Sequence, residues 1–151
     1  MEQTKEQKSL KLFSVVELVF AVGYVLLAIL MFVGGGAAIG GSSEIAAEGT
    51  ATVEEVNSVG GVFIGGGIGY LIAAVLCLVF WYYLRKAAND AKAYKGAYVL
   101  AIINTVFAAI GVVSVVLSGQ GGSVLSNVVS LLISIYVLIL VNKVKQSVTT
   151  A

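Results

Sequence analysis

The chain has 151 residues, 59% of them hydrophobic and only 11% charged, with a mean hydropathy of +1.01. A soluble domain carries about a quarter of its residues as charges, so this composition excludes a water-soluble globule. The formal net charge is +1, and with no His and a single cysteine, Cys77, the sequence lacks the commonest catalytic base, any intramolecular disulfide and any multi-cysteine metal site.

A bilayer core about 30 Å thick needs roughly 20 apolar residues of helix. Four stretches meet that need: 12–33, 59–84, 97–117 and 124–141. The expected fold is therefore an all-α membrane protein, a single four-helix transmembrane domain over residues 1–151. Its four helices form two hairpins joined by an outer loop over 34–58 and an inner loop over 85–96.

Lys5, Lys8 and Lys11 precede the first stretch. That stretch is too long for the apolar region of a signal peptide and is not closed by a small-residue cleavage site, so it reads as a retained helix. Glu17 is the one ionisable residue inside a predicted span, about 9 Å deeper than Lys11 along a helix. A carboxylate there is costly unless it is neutralised, paired or wetted. It reads either as a proton or cation site or as a structural contact, to Asn104 or to Arg85. Tyr24 shares its helix face at i+7.

The outer loop begins with a Gly- and Ser-rich stretch, 34–43, expected to be flexible, and carries Glu44, Glu48, Glu54 and Glu55. Thr52 and Glu55 have the spacing of a capping box, with Thr52 as N-cap. The second span holds small residues at four-residue steps, Gly61, Gly65, Gly69 and Ala73, a pattern that lets helix backbones approach. Its partner helix is expected in the same chain, a second copy being the other option. The span exceeds one bilayer thickness, which predicts a tilt or an irregular start at Gly60–Gly61. It ends in Trp81, Tyr82 and Tyr83, which with Tyr94 and Tyr98 form an aromatic belt at headgroup level.

The inner loop carries Arg85, Lys86, Lys92 and Lys95, read as topology signals and headgroup contacts. In the third span Asn104 occupies the place that Glu17 has in the first, and the runs around Phe20–Ala21 and Phe107–Ala108 are similar. A parallel internal repeat is consistent with that likeness and with the glycine clusters 34–36 and 119–122. The fourth span has Ser126, Ser130 and Ser134 at four-residue steps after Gly122, and Tyr136 near mid-membrane. Lys143 and Lys145 follow it.

All nine basic residues thus border one side of the predicted membrane, whereas the loops on the other side carry none. Cytoplasmic loops are enriched in Lys and Arg, so both termini are expected in the cytoplasm of a multi-pass plasma-membrane protein. No nucleophile–base pair, phosphate loop, carboxylate cluster or nucleic-acid footprint is found, so no catalytic residue, metal or cofactor is expected. The leading expectation is a non-enzymatic subunit or accessory protein that meets a protein partner or a second copy through small-residue helix faces. The alternative is a small oligomeric transporter or channel, with Glu17 and Asn104 as its polar site, flanked by Tyr24 and Tyr136.

Overall fold

The computed structural model describes residues 4–49, 51–118 and 124–149. In chain order it contains α1 (Lys5–Gly40), α2 (Ser42–Glu48), α3 (Val53–Asn89), a 3-10 turn (Ala91–Ala93), α4 (Tyr94–Ser118) and α5 (Val124–Thr149). No strand occurs among the described residues. α1, α3, α4 and α5 are each long and apolar enough to cross a membrane. Large apolar side chains lie open along them: Val62 is 72% exposed and Leu117 82%. Such a surface is stable only where lipid replaces water around it.

α1 and α3 are longer than predicted. Their 36 and 37 residues span about 55 Å each. The expected flexible stretch 34–43 is instead mostly helix: α1 continues through Gly34–Gly35–Gly36 to Gly40, and α2 follows after Gly41. Packing overrides the low helix propensity of glycine here. A Cβ on Gly35 would stand 2.8 Å from the Gly60 carbonyl oxygen and 2.9 Å from Ile64. α3 starts without irregularity at Val53, and Gly60–Gly61 lie within it. Its first turn carries the expected capping box: the Thr52 N–H donates to Glu55 Oε2 at 2.7 Å, and the Glu55 N–H donates to Thr52 Oγ1 at 3.2 Å.

The described chain divides into two compact units, and the division cuts across α1 and α3. One unit is Leu18–Leu78; the other joins the residues up to Glu17 with those from Val79 onward.

In the Leu18–Leu78 unit the seam is built from small residues at seven-residue spacing. Ala21, Ala28 and Gly35 of α1 are buried, as are Gly60, Gly67 and Ala74 of α3. Gly35 lies against Gly60, and the Phe32 ring occupies the space a Gly67 side chain would need. A seven-residue repeat keeps one face of each helix turned to its neighbour, and small residues on it let the backbones close up.

The other unit has a conventional apolar core. Leu10 of α1, Leu84 and Ala87 of α3, Ala97 of α4, and Val141 and Val144 of α5 are all buried in one cluster. Asp90 ends α3 and caps the short turn by accepting from the Lys92 N–H at 3.0 Å. Tyr83 lies on Gly96 so closely that a side chain there would overlap its ring. The predicted glycine cluster at 119–122, with Gly122 as the first rung of the serine ladder, lies outside the described residues.

Candidate functional site

A side-chain hydrogen bond joins α4 to α5. Asn104 donates from Nδ2 to Ser134 Oγ at 3.1 Å, and Ser134 donates onward to the Ser130 carbonyl oxygen at 2.9 Å. Seven residues further along α4, a Cβ on Gly111 would sit 3.0 Å from Asn127 Oδ1, and Asn127 lies seven residues before Ser134 on α5. The seam thus repeats every seven residues, with contacts advancing along α4 as they retreat along α5. Toward the basic end it becomes apolar, at the buried residues Ala101, Ala97, Val137 and Val141. Ser134 is 5% exposed, so the amide–hydroxyl contact is shielded from outside. Thr105 donates to the Ala101 carbonyl oxygen at 2.8 Å and is satisfied within its own helix.

The other polar candidates are placed differently. Glu17 is half-buried in α1, three residues after fully buried Ser14, which donates to the Lys11 carbonyl oxygen at 2.7 Å. Tyr136 is exposed and lies 5.6 Å from the Phe13 ring, tilted to it. Glu17, Asn104 and Tyr136 belong to one unit and Tyr24 to the other. There Tyr24 stacks on Tyr70 at 5.9 Å and on Phe20 at 6.5 Å. The Asn104 amide goes to Ser134, which the sequence placed only on the small-residue ladder of the fourth span. Asn127 was missed altogether. Its signal is the shared seven-residue spacing, Asn104 to Gly111 and Asn127 to Ser134.

The small-residue ladders also divide. Gly61, Gly65 and Gly69 are exposed, and a Cβ on any of them would meet nothing within 4 Å. The intrachain contact of α3 uses Gly60 and Gly67 instead. Ala73 is half-buried, Ser134 is buried, and Ser126 and Ser130 are exposed. A shallow depression on α3, lined by Leu71, Ile72, Val75 and Leu76, offers no polar group to a ligand.

At the basic end, cations rest on aromatic rings. Arg85 lies over Trp81 at 5.8 Å, Lys86 over Tyr82 at 5.9 Å, and Lys145 over Tyr98 at 4.6 Å. Lys92 and Lys95 are exposed. The Trp81 indole nitrogen is buried with no hydrogen-bond partner among the described residues. All nine basic residues belong to this unit, and Glu44, Glu48, Glu54 and Glu55 to the other. No protein-family model, curated protein or solved structure matches the chain.

Proposed function

We propose that the protein is a non-enzymatic accessory subunit of a cell membrane, held to a protein partner or to a second copy through the Gly61–Gly65–Gly69 face of α3. The observation that carries this reading is the open space around those three glycines, on an apolar helix whose contact within the chain uses other glycines. In lipid, helices associate by close packing rather than hydrophobic exclusion, and a strip without side chains is where a second backbone can approach. The α4–α5 seam fits the same reading, because Asn104 and Ser134 satisfy one another as a packing contact does.

In this arrangement α1 with α3 and α4 with α5 form two hairpins, each with a seven-residue seam, as a parallel duplication would give. Both termini are cytoplasmic, following the basic residues. Single cysteines introduced by Ser43→Cys and Ser147→Cys in a Cys77→Ala background test that orientation. A membrane-impermeant maleimide should label position 43 in intact cells and position 147 only after permeabilisation.

Copurification tests the accessory role. Extraction in gentle detergent should yield a partner or an oligomer. Gly65→Ile should abolish it while leaving helix content unchanged, since the added side chain has room. A monomer without partners in every extract removes the reading. Transport through Glu17 is the second reading, favoured by a half-buried carboxylate within an apolar helix. It requires flux in proteoliposomes that falls with Glu17→Gln; flux unchanged by both Glu17→Gln and Asn104→Ala excludes these residues from any conduction path.

A further inference from the structure

We propose that the corner formed by the 3-10 turn, the start of α4 and the end of α5 binds the phosphate of an anionic phospholipid, held by Lys145, Lys95 and Lys92. Lys145 is half-buried, with its ammonium 4.6 Å from the centre of the Tyr98 ring. A carboxylate partner would neutralise that ammonium; a ring face fixes its position and leaves its charge free for another anion. Lys95 precedes Tyr98 by three residues and so shares its side of α4. The 3-10 turn that carries Lys92 packs against α5, bringing a third cation to the same corner. Asp90 is the one acidic residue between Trp81 and Tyr98, and its carboxylate is turned onto the Lys92 N–H.

The corner therefore has one cation held in place on a ring, two exposed cations near it, and a single acidic residue, Asp90, on the connecting segment. It lies at the end of membrane-spanning helices beside a tyrosine, the level at which lipid phosphates sit. That position favours a lipid over a soluble phosphate. The inference is independent of the accessory role and stands or falls without it.

Binding can be measured on the full chain in neutral detergent, by native mass spectrometry and by the thermal shift with added phosphatidylglycerol or phosphatidylcholine. Phosphatidylglycerol should remain bound and raise the melting temperature; phosphatidylcholine should do neither. Lys145→Gln should weaken retention about fivefold, the effect of one lysine near an anionic surface. Lys143→Gln is the control, removing the same charge from a position about 200° around α5. Tyr98→Phe should preserve binding and Tyr98→Leu should weaken it, with circular dichroism confirming that each variant is folded. Equal losses for Lys143→Gln and Lys145→Gln would reduce the site to a diffuse field and overturn the proposal. Retention of both lipids alike, or displacement by millimolar inorganic phosphate, would overturn it too.

Discussion

At the scale of single residues, glycines carry opposite meanings on opposite faces of α3 and its neighbour. Gly35 has a backbone oxygen and an isoleucine where its Cβ would be, so Gly35→Ala forces two helices apart. Overpacking of this kind costs about 1–3 kcal/mol, which exceeds the roughly 1 kcal/mol that alanine contributes to a helix. Gly65→Ala meets open space and keeps that helix gain. Unfolding in mixed micelles should therefore place Gly35→Ala below the parent protein and Gly65→Ala level with it or above. Ser134 has a comparable role on the other seam, accepting from Asn104. Ser134→Ala should destabilise by about 0.5–2 kcal/mol, the range for interhelical hydrogen bonds in membranes. A Ser134→Ala protein as stable as the parent would show the Asn104 contact to be incidental.

At the scale of elements, the capping box of α3 makes a pH-dependent helix start outside the predicted span 59–84. Glu55 accepts from both the N–H and the hydroxyl of Thr52, and these bonds hold its carboxyl below the ordinary 4.5. A lowered folded value stabilises the turn above pH 4.5, and that contribution is lost as pH falls through the lowered value. Amide protection in the first turn of α3 should thus decline below about pH 4.5, and Glu55→Gln should remove the pH dependence. This start was legible from Thr52 and Glu55 alone, because a cap depends on four consecutive residues. The four apolar helices were legible for a similar reason, as bilayer thickness is a demand each stretch meets by itself. The helix through Gly34–Gly36 was not, because its stability comes from Gly60, distant in the sequence. The seam was misplaced from Gly60 and Gly67 to Gly61, Gly65 and Gly69 because small residues occur at both four- and seven-residue steps. Only the facing helix, with Ala21, Ala28 and Gly35 at sevens, decides between them. Asn127 escaped notice for the same reason: its contact at Gly111 leaves no mark on α5 alone.

At the scale of the whole molecule, the order of charges along the sequence already separated basic from acidic residues, with nine basic residues in one unit and four loop glutamates in the other. The division into units was not legible, since it follows no loop and runs across two uninterrupted helices. It has a consequence for how the protein is made. The Leu18–Leu78 unit is one contiguous stretch, so its glycine seam can close as soon as α3 leaves the translocation machinery. The other unit cannot: Leu10 waits for Val141 and Val144, which are synthesised some 130 residues later. Nascent chains arrested after residue 118 should therefore crosslink between cysteines placed at positions 34 and 63, which lie side by side with room for a side chain at position 34. Leu10→Cys should remain open to alkylation in those chains and become protected only once α5 is inserted. Until then the Leu10 end of α1 stands without the α5 side chains that cover it in the finished protein.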